Sequence, residues 1–165
     1  WPLPKLFRMT KGGKLTEGLF KGETINTPSM LAVEDAIFAM EWGQSVGGLS
    51  GLIARSDANA AALDELVAAR DWLDHLCADP AIRSRTSVCL KFAGAAVAGL
   101  DDDAQAALVK RMAGLLEDAN AAYDIAGYRD APPGLRIWCG ATVDTADIVA
   151  LGPWLDWAYA TARAG

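Results

Sequence analysis

At 165 residues, 52% of them hydrophobic and 22% charged, the chain is long enough for one full core, since domains commonly run to roughly 100–200 residues. A formal net charge of −6 excludes a broad basic face for nucleic acid. The longest low-polarity run, "FAGAAVAGL" at 92–100, falls far short of the roughly 20 apolar residues of a membrane helix.

Taken in order, residues 1–28 are rich in Gly, Lys and Thr, open on Trp1 without an initiator Met, and read as an arm belonging to a longer chain, ending in a short strand around "ETIN". Thr27 offers an N-cap oxygen and Pro28 suits the first helical position, so a helix is expected from there, with Leu31, Ala32, Ile37, Phe38 and Trp42 giving it a buried side. "SVGGLSG" loosens the chain before a second helix over about 49–70, with Ile53, Ala60, Leu63 and Val67 at helical spacing. "WLDHLCAD" (72–79), closed by Pro80, and "TSVCLKF" (86–92) alternate as strands do. "DDDAQAALVKRMAGLLEDANAA" begins with acids that suit a helix N-terminus and carries Leu108, Met112, Leu115 and Leu116 along one face. "AYDIAGYRD" predicts a short strand and turn, "PPG" a sharp bend, and "LRIWCGATV" (135–143) another strand. The last segment, "DTADIVALGPWLDWAYATARA", is helical, with Ile148, Leu151, Leu155 and Ala158 inward and a break or kink at Gly152 and Pro153. Helices covering a mainly antiparallel sheet, an α/β sandwich, fit this order best.

Little of this carries metal or nucleophile chemistry. His75 is the single histidine, so neither a zinc site nor a Ser/His triad is expected within the chain. Cys77, Cys89 and Cys139 are odd in number, widely spaced and in apolar company, as reduced thiols of a cytoplasmic protein would be. "GQSVGGLSG" (43–51) follows a helix rather than a strand and matches neither a dinucleotide fingerprint nor a P-loop, and "TKGGK" (10–14) reads as a solvated basic turn.

Two places invite an anion. Arg129 lies in the polar turn "GYRDAPPG", and Arg136 begins an otherwise apolar strand. A guanidinium there calls for neutralisation, either by a bound carboxylate or phosphate held in its planar fork or by a salt bridge to Asp124 or Asp130. "INTP" points backbone N–H groups, a hydroxyl and a helix dipole at one spot, which serves either a phosphate or an ordinary N-cap.

"FKGETINTPSM", "RSRTSVCLKF", "YRDAPPGLRIWCGATV" and "LGPWLDW", in this order, resemble the C-terminal part of the phosphoserine aminotransferases over essentially the whole chain. The resemblance implies the small C-terminal domain of a fold-type I pyridoxal-phosphate (PLP) transferase of aminotransferase class V. In that arrangement 1–28 are an arm from the large domain, 29–70 linking helices and 71–165 the small α/β domain. It further implies a homodimer with active sites at the subunit interface and transfer of an amino group from glutamate to 3-phosphohydroxypyruvate, giving phosphoserine for serine synthesis and serving a related step toward vitamin B6. Asn26 and Thr27 match positions that reach the cofactor phosphate of the partner subunit, Arg136 the arginine that pairs with the substrate α-carboxylate, and Arg129 one that helps hold the substrate phosphate. Tyr128 stands where better-known members place a His before that arginine. The Schiff-base lysine, the aspartate on the pyridine nitrogen and the aromatic over the ring lie upstream in the family, so no catalytic residue is assigned here, and Lys11, Lys14 and Lys21 are not substitutes. The rival expectations are another class V enzyme, such as a serine-glyoxylate type aminotransferase or a cysteine desulfurase, and a non-enzymatic α/β interaction module whose arginines serve salt bridges.

Overall fold

A computed structural model describes residues 7–94 and 99–164; the first six residues of the expected arm and the middle of the "FAGAAVAGL" run lie outside them. The chain divides into two compact units, Trp1–Val46 and Gly47–Gly165.

In the first unit, strands β1 (Thr10–Lys11) and β2 (Lys14–Leu15) form a small antiparallel hairpin. Gly12 and Gly13 turn it with φ of 59° and 76°, the left-handed pair that a two-residue hairpin turn requires. A 3-10 helix over Glu17–Lys21 follows and ends at Gly22. The strand expected at "ETIN" is absent: residues 23–28 are irregular, and helix α1 (Met30–Ser45) starts two residues later than Thr27 and Pro28 suggest. Ser29 is the cap, its Oγ accepting from the Ala32 N–H at 3.5 Å, in keeping with the preference for Ser over Thr at that position. The expected buried side of α1 is open within this unit, with Leu31 74% and Phe38 73% exposed.

The second unit is a two-layer α/β sandwich. Helix α2 (Gly48–Ala68) leads into strand β3 (Leu73–His75), which pairs antiparallel with the central strand β4 (Ser87–Phe92), and β4 in turn pairs antiparallel with β5 (Gly134–Trp138). Helices α3 (Asp102–Asp118) and α4 (Thr145–Ala164) complete the layer. The sheet order β3-β4-β5 follows the chain, so each strand lies antiparallel to its sequence neighbour, and α3 is inserted in the connection from β4 to β5. The alternation in "SVCLKF" decides which face is covered. Val88, Leu90 and Phe92 are buried with Leu135 and Ile137 of β5 against Leu63, Met112, Leu116 and Leu155 of the helices, while Ser87, Cys89 and Lys91 look the other way.

Local chemistry accounts for the boundaries. Asp101 caps α3, its carboxylate accepting from the Ala104 N–H at 2.8 Å, and Asp102 and Asp103 lie in the positive first turn. Helix α4 runs unbroken through Gly152 and Pro153, where the sequence suggests a break. Gly152 serves contact instead: a Cβ there would lie 2.9 Å from Arg70 Nη2, whose guanidinium crosses α4 to make a two-pronged bond to Asp156 at 2.8 and 2.7 Å. The strand expected in "AYDIAGYRD" shrinks to one bridge, Ala126 to Leu135, flanked by bonds from the Arg136 N–H to the Ile125 carbonyl (2.7 Å) and from the Gly127 N–H to the Gly134 carbonyl (3.0 Å). Residues 125–127 thus lie along the outer edge of β5. Ile53, placed on the buried side by its spacing, is 52% exposed, whereas Ala60, Leu63 and Val67 are buried as expected.

Candidate functional site

The uncovered face of the three-stranded sheet carries the polar chemistry. Because Leu135 and Ile137 point into the core, Arg136 between them must point out, and its register partner Cys89 and next-but-one neighbour Ser87 lie on the same face. The Arg136 guanidinium donates from Nη2 to Asp124 Oδ2 at 2.6 Å and to the Asp124 main-chain carbonyl at 3.2 Å. It also lies over the Tyr128 ring, 4.7 Å from its centroid, a cation–π distance. Its Nε is buried and has no hydrogen-bond partner among the described residues. The bond to Asp124, followed by that to Tyr128, raises the Arg136 pKa further above its already high range, so the fork is a permanent cation.

Tyr128 is held from both sides. Its hydroxyl lies 3.3 Å from Ser87 Oγ, and that bond, with the nearby Arg136, lowers its pKa below the usual tyrosine value. Asp124 adopts φ = 52°, a left-handed backbone that Asp and Asn tolerate better than other side-chain-bearing residues, and this turns both its carbonyl and its carboxylate toward Arg136. Ser87, Asp124, Arg136, Trp138, Asp147 and Leu151 are among the residues lining a cavity of about 340 Å³ at this place. A cation lining such a cavity can receive a carboxylate in its fork.

Arg129 is one residue beyond Tyr128 but lines a different cavity, of about 560 Å³, with Asp102, Asp103, Tyr128 and the "DAPPG" turn. It is exposed, and no hydrogen bond or ion pair engages it among the described residues. Of the two candidate salt-bridge acids, Asp124 pairs with Arg136, and Asp130 pairs with neither arginine. Asn26 and Thr27 belong to the other unit, exposed in the irregular stretch before α1, their side chains likewise unengaged among the described residues. A free amide and a free hydroxyl fit the phosphate end of a PLP cofactor. Among the described residues the rest of such a pocket has no counterpart: Lys11, Lys14 and Lys21 are exposed, and Lys21 is tied to Glu17 at 3.0 Å, unlike the desolvated lysine that covalent catalysis uses.

The remaining candidates are structural. The three cysteines are free; burial pushes the Cys139 thiol up to about 11, which makes it a poor nucleophile. No group of three or more His, Cys, Asp or Glu suited to a metal ion occurs among the described residues, and no helix among them is long and apolar enough to cross a membrane. Sequence reasoning named Asp124 only as a possible partner and passed over Ser87. The period-two pattern of "SVCLKF" does place Ser87 beside Arg136 once the β4–β5 register is known.

No family model matches the chain. Over 159 residues, 96% of its length, it is 48% identical to a phosphoserine aminotransferase of Methanosarcina mazei and 50% identical to one of Methanosarcina barkeri; over 132 residues it is 30% identical to one of Corynebacterium glutamicum. The chain spans 40% of the length of the two Methanosarcina relatives. In fold it is similar to a phosphoserine aminotransferase from Bacillus circulans subsp. alkalophilus (TM-score 0.65, 18% identity, 82% of this chain and 34% of that one). It is also similar to a phosphoserine aminotransferase studied for radiation damage of the Schiff base (TM-score 0.68, 13% identity, 89% of this chain and 38% of that one). In sequence over nearly its whole length, and in fold over most of it, the chain therefore matches part of the phosphoserine aminotransferases.

Proposed function

We propose that this chain is the C-terminal portion of a PLP-dependent phosphoserine transaminase, which moves an amino group between glutamate and 3-phosphohydroxypyruvate in serine biosynthesis and serves a related step toward pyridoxine. The observation that carries this reading is Arg136: a permanent cation on the open sheet face, already gripping a carboxylate and lining a cavity. Arg136 binds the α-carboxylate common to both amino acids and thereby sets the direction of the Cα–H bond. Arg129, unpaired on the neighbouring cavity, takes the phosphate of phosphoserine, with the Tyr128 hydroxyl where a histidine would otherwise stand. Asn26 and Thr27 donate to the cofactor phosphate across the interface of a homodimer. When bound, pyridoxal phosphate supplies the electron sink that acidifies the Cα–H. The lysine that anchors it and moves the proton is outside the present sequence, so this chain alone is expected to turn over nothing. Three cysteines left as free thiols support a cytoplasmic setting.

A second reading draws on the same pair. Because Asp124 neutralises Arg136 internally, an interaction module could use the arginine for structure alone. Isothermal titration of the full-length protein with phosphoserine separates the two: saturable heat, lost in Arg136→Ala, is expected of the enzyme, and no heat would overturn it. A class V enzyme without a phosphosubstrate would give the same heat with phosphoserine and serine.

A further inference from the structure

We propose that Asp124 is a resident carboxylate that occupies the Arg136 fork when substrate is away, and that a substrate carboxylate must displace it to bind. This rests on the reading of Arg136 as the substrate's carboxylate partner.

The geometry separates two functions within one residue. The main-chain carbonyl of Asp124 accepts from Arg136 Nη2 at 3.2 Å and cannot leave, because residues 125–127 are laddered to β5 through the Arg136 and Gly127 N–H groups. The side-chain carboxylate accepts from the same Nη2 at 2.6 Å but is 87% exposed and has no second partner among the described residues. The guanidinium is therefore positioned by the backbone and by the Tyr128 ring beneath it, and only temporarily neutralised by the carboxylate. Asp124 and an incoming substrate are the same chemical group competing for the same N–H. When the substrate wins, Asp124 remains beside it as a like charge. The contact thus weakens binding of carboxylates and hastens their release, while keeping the arginine's orientation between turnovers.

The backbone supplies the clean substitution. At φ = 52° Asn is as well tolerated as Asp, so Asp124→Asn removes the charge without straining the turn. Exposed ion pairs are weak, so the expected change is modest. In the full-length enzyme, Asp124→Asn should lower KM for glutamate and for phosphoserine alike by about two- to fivefold, with kcat unchanged or slightly reduced. Calorimetric titration with glutarate, a carboxylate that cannot react, should show the same tightening of Kd. In an Arg136→Ala background Asp124→Asn should change neither quantity, since the competition needs the fork. An unchanged or raised KM and glutarate Kd in Asp124→Asn, with Arg136→Ala still impairing both, would overturn the proposal and make Asp124 a supporting residue. If Arg136→Ala itself left substrate binding intact, the underlying assignment of Arg136 would fall instead.

Discussion

Arg136 and Arg129 are neighbours in sequence terms yet carry different expectations. Arg136 is half-shielded, backed by a ring and held by a carbonyl; Arg129 is exposed and unpaired among the described residues. In the full-length enzyme Arg136→Ala should lower kcat/KM for both glutamate and phosphoserine, by about ten- to a hundredfold, because each presents an α-carboxylate. Arg129→Ala should reduce kcat/KM for phosphoserine and leave glutamate nearly untouched. Steady-state kinetics on the two substrates checks this, and equal losses on both for Arg129→Ala would refute the division. The residue types alone call for neutralisation of each guanidinium, by a bound anion or by an internal acid. They leave open which acid supplies it, because the Asp124–Arg136 pairing depends on a left-handed turn twelve residues away.

Among the elements, the joint between α2 and the β5–α4 connection combines a buried amide with Arg55, which donates to the Ala141 and Val143 carbonyls and pairs with Asp144. Asn59 Nδ2 faces the carbonyls of Cys139, Gly140 and Val143 at 3.3, 3.2 and 2.9 Å, and its Oδ1 accepts from Thr145 Oγ1 at 2.7 Å. Asn59→Ala takes the amide from all of these groups, although the Gly140 carbonyl keeps the Val143 N–H and the Val143 carbonyl keeps Arg55, and should destabilise the protein by about 1–3 kcal/mol, readable as a lowered midpoint in urea with unchanged slope. A second joint ties α2 to β3. His75 Nε2 lies 2.9 Å from Asp64 Oδ1, which Arg83 also contacts at 3.2 Å. Burial, then the Arg83 charge, lower the His75 pKa, and they outweigh the opposing pull of Asp64 and Asp74. A histidine whose folded pKa lies below its unfolded value binds fewer protons when folded, so its contribution is intact above about pH 6.5 and is lost as pH falls through the folded pKa. His75→Gln should flatten the loss of thermal stability between pH 7 and pH 5; parallel melting curves for the two proteins across that range would contradict the assignment. Neither joint is legible beforehand. Asn59 looks like a surface residue until the fold brings three carbonyls to it, whereas the elements themselves, α2, β4 and α3 above all, follow from spacing and caps.

At the scale of the whole molecule, the proposed function makes the protein a symmetric pair. If Asn26 and Thr27 serve the partner's cofactor, the two halves of each site come from different chains. Mixing a full-length subunit that carries Asn26→Ala and Thr27→Ala with one lacking the anchoring lysine then puts both defects into one site and leaves the other whole. The isolated heterodimer should retain about half of the wild-type turnover, by the counting that two-fold symmetry imposes. Turnover well below half at low PLP, in an intact heterodimer, would mean that the pair serves the cofactor of its own subunit.

Sequence by itself determined the α/β class, the second and third helices and the positions of the two main strands, though the later one ends at Trp138 rather than at 143, because hydrophobic period and capping chemistry are local and survive without knowing the partners. It also determined the family resemblance, through motifs kept in order along the chain. Tertiary structure decided what no local pattern encodes. Ser29 rather than Thr27 begins α1, α4 continues through Pro153, "AYDIAGYRD" contributes an edge rather than a strand, and the face of the sheet left uncovered is the one that carries Arg136, Tyr128 and Ser87. The Ser29 cap is a local bond to Ala32, but the open face depends on the pairing of β4 with β5, which lie far apart in sequence, and such pairings acquire their energies only when the backbone has brought the groups together.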